Sequence, residues 1–357
     1  MAILKNVHLW LPGYLQRRVP PSVTPTHVFF CFVDHYEPSW NKASRHQGLE
    51  RVEHWFENYP RMAKQFRDAD GRPPQHTFFY PAEEYVTEYL DLLAQLCSQG
   101  YGEVEIHLHH DNDTAQNLRK AIDEFKARLQ GHGFLSNGRY GFIHGNWSLD
   151  NSRPDGRWCG VNSELQVLRD TGCYADFTLP SAPSECQTRK VNSIYYATDD
   201  PSQPKSHDTG EDVRVGGKPS GDLLIVQGPL ALNWDNRKFG ILPRIENSEI
   251  ARYAPATACR IRNWMAQRIS VIGKPDWVFV KVYTHGCQEL NFDTTLGPSA
   301  ATMHQLLQEA CNDGTHTVLH YVTAREVFNL IKAAEAGQSG QPNQYRDFVL
   351  PPPPVRR

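Results

Sequence analysis

Four stretches of this 357-residue chain place histidines and carboxylates within a few residues of one another, and histidine is frequent at 16. Asp34, His35, Tyr36 and Glu37 follow an apolar run. His107, His109, His110, Asp111 and Asp113 crowd into H-L-H-H-D-N-D. His144, Asn146 and Trp147 come after G-F-I, with Asp150 close behind, and Thr284, His285 and Gly286 end another apolar run. Imidazole with carboxylate is a donor set for a divalent cation, zinc first, with cobalt, nickel or iron as alternatives, and water fills the open positions of a catalytic site. His109 and Asp113 lie four apart across a strand end and a helix start, so both can converge on one ion. His107 competes for the same place, because alternate residues of a strand share a face.

Those residues need a scaffold that brings strand ends together. Residues 27–33 (HVFFCFV) read as a buried strand preceded by prolines 20, 21 and 25. Residues 48–67 have helical apolar spacing that Pro60 should break or kink. Strands are expected at 76–80, 103–109, 139–143 and 174–178, with helices at 82–97, 114–129 and 162–171. Asp113 and Thr114 are candidate caps for the helix at 114–129. After an irregular, partly β insertion at 180–250, alternation resumes with a helix at 256–272, a strand at 277–283 and a helix at 299–312. A strand at 317–322 and a helix at 324–336 complete it, and a Pro-rich tail at 338–357 reads as extended. Strand–helix alternation of this kind predicts an α/β fold with a parallel sheet or barrel, whose function sits at the C-terminal strand ends. The whole of 1–357 reads as one such domain.

Composition narrows the partners. Hydrophobic residues are 39%, charged 22% and aromatic 11%, a balance suited to a packed core. With 37 basic and 40 acidic residues the net charge is −3, so nothing in bulk charge favours nucleic acid or an anionic membrane. Eight cysteines form no C-x-x-C pair and read as small buried side chains. No stretch approaches the roughly 18 apolar residues of a membrane span. The start, MAILKNVHLWLPGYLQRR, lacks the apolar core of a secretory signal, which favours a cytoplasmic location. Phosphate loops, dinucleotide fingerprints, G-x-S-x-G and H-E-x-x-H are all absent.

Asp34 behind its strand, T-F-F-Y-P-A-E-E-Y (77–85), E-I-H-L-H-H-D-N-D (105–113) and V-Y-T-H-G (282–286) together resemble the ordered motifs of the polysaccharide deacetylases. These are the NodB-homology group of carbohydrate esterases. The resemblance spans roughly residues 27 to 290. It implies a distorted (β/α) barrel of about seven strands and a divalent metal held by one Asp and two His. The implied activity is hydrolytic removal of acetyl groups from N-acetylated sugars.

Matched position by position, Asp34 falls on the metal-ligand aspartate, while Val33 stands where the family has its general base. His109 fits the first histidine of the second motif, and Asp113 replaces the second. His144-Gly145-Asn146-Trp147 stands in place of an Arg-Pro pair, and His285 matches the general acid. The resemblance therefore implies a metal site of Asp34, His109 and Asp113, with His107 as alternative and His285 beside it. Glu37 and His35 are the nearest replacements for the base, with Asp150 third. His144, Asn146, Trp147 and Asp150 are expected to meet a carbohydrate substrate, and Trp147 and Trp234 offer faces for sugar stacking. Two other readings stand beside this one. The first is a carbohydrate-binding protein that has lost hydrolysis with its base. The second is a glycoside hydrolase using paired carboxylates.

Overall fold

The computed structural model describes residues 5–356, so the opening MAIL of the N-terminal reading and the final arginine lie outside it. The first half runs α1 (Val7–Gln16), β1 (Thr26–His35), α2 (Arg45–Ala63), β2 (His76–Pro81), α3 (Thr87–Ser98), β3 (Gly102–Leu108), α4 (Ala115–Gly131) and β4 (Tyr140–His144). Then come α5 (Glu164–Thr171), β5 (Cys173–Asp176), β6 (Ile194–Ala197), β7 (Glu211–Asp212), β8 (Leu223–Val226), β9 (Ala231–Lys238) and β10 (Leu242–Glu246). The last part is α6 (Ala258–Ala266), β11 (Trp277–Thr284), α7 (Phe292–Thr295), α8 (Pro298–Cys311), β12 (Thr317–Val322) and α9 (Ala324–Glu335).

Ten strands form one sheet in the order β11-β1-β2-β3-β4-β5-β8-β6-β7, with β12 also on β1. β1 is the hub. Its one edge pairs with β11 from His27 to Asp34, and its other is shared end to end by β12 and β2. All pairings from β11 to β8 are parallel, and only β6 and β7 run antiparallel. This is the expected distorted (β/α) barrel. β1 is buried along its whole length, as a parallel strand covered on both faces must be. Val28, Phe30 and Phe32 face outward into Trp264 of α6 and Met303 and Leu307 of α8. Phe29, Cys31 and Val33 face inward, where Val327, Leu330 and Ile331 of α9 join the same cluster.

Several elements depart from the sequence reading. The expected helix at 82–97 is two pieces: a single 3-10 turn at Ala82–Glu84, then α3. The Tyr80 hydroxyl donates to the Glu84 carbonyl at 2.8 Å, and Val86 is extended before α3 begins. α2 runs through Pro60, whose missing N–H falls in the last turn, and it starts on a capping box of Ser44 and Gln47. α6 ends at Ala266, six residues before the expected end at 272. The 180–250 stretch supplies β6, β7 and β8 to the main sheet, and only β9 and β10 form a separate ribbon. α1, read in the sequence only as a short apolar run, packs Val7 and Trp10 against Ala182, Val191 and Leu230. The tail is docked: Arg325 and Asn329 donate to the Leu350 carbonyl at 2.6 and 2.8 Å, and short 3-10 turns punctuate it. Among the described residues no helix is long and apolar enough to cross a membrane.

Candidate metal centre

Successive strand residues point to opposite faces, and this separates Asp34 from His35. Asp34 turns outward, where its Oδ2 lies 2.9 Å from His76 Nε2 and its Oδ1 accepts the Gly286 amide at 2.6 Å. His76 is itself enclosed by the rings of Phe32, Trp55 and Phe78. A Cβ on Gly286 would stand 2.0 Å from Asp34 Oδ2, so only glycine lets the backbone come this close. Asp34 thus ties β1 to β2 and to the turn after β11.

His35 turns inward, is fully buried, and has no hydrogen-bond partner at either ring nitrogen. Its ring centroid lies 4.8 Å from that of His107 and 4.7 Å from those of Trp147 and His285, the last in a stacked pair. Burial, followed by the neighbouring His285 and His107, holds His35 well below the usual imidazole range, so it is neutral. Glu37, two residues on, reaches both imidazoles at the end of β3. Its Oε1 is 3.1 Å from His107 Nε2 and 3.3 Å from His109 Nε2. Burial pushes the Glu37 carboxyl up, but the bonds to His107 and His109 outweigh it and hold the group well below the carboxylate range.

His107 decides what this arrangement can hold. Its Nδ1 lies 3.0 Å from the Ile143 carbonyl, an acceptor, so Nδ1 must carry the ring proton. Burial lowers its pKa against the opposing pull of Glu37, which favours the neutral ring. Its Nε2 lies 3.1 Å from Glu37 Oε1, at the distance of a hydrogen bond and of two neighbouring ligands on one ion. His35, Glu37 and His107 each offer a ligand atom, all within 4.8 Å of one another. The residues present therefore fit a divalent ion.

His109 closes the mouth. Its side chain, 31% exposed, bonds through Nδ1 to Glu83 on the 3-10 turn after β2. Burial alone would lower its pKa, but Glu37 and Glu83 raise it to about 10. The ring lies against Gly145, where a Cβ would stand 2.3 Å from Cδ2.

Of the residues singled out in the sequence, His35, Glu37, His107, His109, Trp147 and His285 gather at this one rim. Asp34, His109 and Asp113 are not brought together: Asp34 belongs to His76, and Asp113 to His110 Nδ1 at 3.2 Å and to Asn117 at 2.9 Å. This corrects the implied ligand set, because Asp34 is on the outer strand face and Asp113 is drawn into the start of α4. Among the four expected substrate contacts, Asn146 and Trp147 are half-buried, whereas His144 and Asp150 are fully buried. Asp150 accepts the Ser206 amide at 2.6 Å, and burial with Asp199 nearby raises its pKa to about 8. Trp234 is exposed on β9, outside the residues that touch the rim cluster. Glu83, Cys159 and Glu164 were not singled out. Only Glu83 left a trace, inside the T-F-F-Y-P-A-E-E-Y motif.

No protein-family profile matches the chain, and no curated protein matches it in sequence. Among solved structures it is similar to a protein of Parabacteroides distasonis described provisionally as a glycoside hydrolase/deacetylase. That alignment covers 89% of this chain and 72% of the other at 12% identity, with a TM-score of 0.43. It is also similar to a GH57 branching enzyme of Thermococcus kodakaraensis, over 82% and 70% of the two chains at 10% identity and a TM-score of 0.38.

Proposed function

We propose that this protein is a metal-dependent hydrolase that removes an acyl group, acetyl first, from an N-acetylated sugar or glycan. The observation that carries the metal is the convergence of ligand atoms from His35, Glu37 and His107 within 4.8 Å of one another, with both ring nitrogens of buried His35 unpartnered. The ordered motifs of residues 34–37, 77–85, 105–113 and 282–286 carry the substrate class. His35, Glu37 and His107 would hold the ion, and it would supply Lewis acidity towards an acyl oxygen and towards water. With Glu37 and His35 engaged as ligands, the base missing at Val33 is assigned to Glu83, the half-exposed carboxylate bonded to His109. Glu83 takes the proton from the attacking water while His109 holds that carboxylate in place, and His285, stacked on His35, donates its own proton to the leaving amine. Trp147 walls the mouth and keeps His35 from water.

Metal analysis of the purified protein combined with incubation on N-acetylglucosamine oligomers tests this. Acetate release with unchanged oligomer length is expected. Glu37→Gln and His107→Ala should lose the ion, whereas Glu83→Gln should keep it and lose about 10²–10⁴-fold in rate. A rim that takes up no divalent ion overturns the reading. Shortened oligomers without acetate would instead support a glycoside hydrolase.

A further inference from the structure

A second set of donors closes on itself beside the first. His110 leaves the end of β3, His144 ends β4, Cys159 sits in the loop that follows, and Glu164 opens α5. Each offers one ligand atom, and all four atoms lie within 4.8 Å of one another. His144, Cys159 and Glu164 are fully buried, and the His110 side chain is only 7% exposed. Glu164 Oε1 is 3.1 Å from His110 Nε2 and 3.9 Å from His144 Nε2, while its Oε2 is 3.4 Å from Cys159 Sγ.

Three details point inward to a ligand. His144 Nε2 is buried with no hydrogen-bond partner and faces this group. Two backbone amides, of Asn151 and Val161, point at Cys159 Sγ from 3.3 and 3.4 Å, a cradle suited to a thiolate. The sulfur also lies 3.7 Å from the Val161 carbonyl, to which its S–H donates. Finally, His110 turns its Nε2 to the centre, 3.1 Å from Glu164 Oε1, while its buried Nδ1 makes no hydrogen bond and has Asp113 Oδ2 at ion-pair distance, 3.2 Å. Asp68, Asp70 and His320 also converge, but Arg346 already supplies their cation, with Nη2 2.7 Å from Asp70.

We propose that His110, His144, Cys159 and Glu164 bind a second divalent cation, zinc by the donor set, in a closed four-ligand structural site. Binding replaces the Cys159 thiol proton, which is released to solvent, and forms the sulfur–metal bond. The His144 ring proton moves to Nδ1, so the 3.3 Å contact from the Asn146 amide is given up. With four protein ligands and no open position the site is structural, not catalytic. It pins the loop between β4 and α5, which carries Trp147 against His35, to the end of β3. Neighbouring His109 and His110 then serve different sites. The inference stands whether or not the first rim site holds metal.

Cobalt distinguishes the two, because the first site contains no sulfur. Cobalt-loaded protein should show a thiolate-to-cobalt charge-transfer band in the near ultraviolet. Cys159→Ser should abolish that band and lower bound metal from two ions per chain to one. If that variant does not fold, X-ray absorption on the zinc-loaded natural sequence should show one sulfur at about 2.3 Å. One bound ion with a sulfur ligand would uphold this site and count against the His35–Glu37–His107 reading. Bound metal with neither band nor sulfur would overturn this site and leave that reading intact. Protein that binds no metal overturns both.

Discussion

One glycine sets what a rim residue can do. Gly145 leaves room for the His109 ring, and a Cβ there would stand 2.3 Å from Cδ2. Gly145→Ala should therefore push His109 off Glu37 and Glu83 while leaving the core untouched. We expect a loss of about 10–100-fold in metal affinity or turnover with an unchanged urea midpoint. Equal turnover in variant and parent would show that the position of His109 is unimportant. Asp34 makes the opposite case. It is buried and bonded to His76 and Gly286, away from the imidazole cluster. Asp34→Ala should lower stability by about 3 kcal/mol, since it strips a buried charged group from its partners, but should leave metal content intact. Denaturant titration and elemental analysis on the same sample check both halves, and a variant that folds but loses its metal would return Asp34 to the ligand set.

At the scale of elements, β11 carries a buried lysine. Lys281 pairs in register with Cys31, and its Nζ donates to the carbonyls of Phe177 and Leu179, the latter at 2.5 Å, near Asp176. Burial pushes its pKa down from 10.5. The unfolded chain keeps that proton up to about 10.5, whereas the folded chain gives it up earlier, so the unfolded state binds more protons in between. This contribution to stability therefore rises with pH from neutrality towards 10.5, by up to about 1.4 kcal/mol per pH unit. Lys281→Met removes it. The stability of the natural sequence relative to Lys281→Met should climb over that range, and a flat difference would mean that Lys281 stays charged in the fold. β1 and β11 were legible because strands covered on both faces read as nearly continuous apolar runs, and β3 and β12 because their apolar residues are interleaved with polar ones between turns; all four fall within a few residues of expectation. What was not legible depends on the third dimension. Asp34 and His35 are adjacent in sequence but face opposite layers, and the motif pointed to the outward one. Glu83 and Glu164 meet their histidines across 26 and 54 residues, which no spacing rule spans.

For the whole molecule, both donor sets lie where parallel strands end, and each draws on segments distant in sequence. The first joins the exits of β1 and β3, closed over by residues after β2, β4 and β11. The second joins β3, β4 and α5. An ion bound to such a set exists only in the folded chain, so binding shifts the unfolding equilibrium, by about 2.7 kcal/mol when free metal is 100 times the dissociation constant. Chelation should then lower the thermal midpoint by several degrees, and readdition of zinc should restore it. The closed set should dominate this effect, because it ties the loop between β4 and α5 to β3, while the rim set stiffens positions already held by Glu37 and Ile143. Glu37→Gln should therefore keep most of the chelator-sensitive shift, and Cys159→Ser should lose most of it. Differential scanning calorimetry of the three proteins with and without chelator measures this directly. Equal shifts in both variants would mean that the two sites contribute alike to the fold, and no shift in the natural sequence would remove metal from its stability altogether.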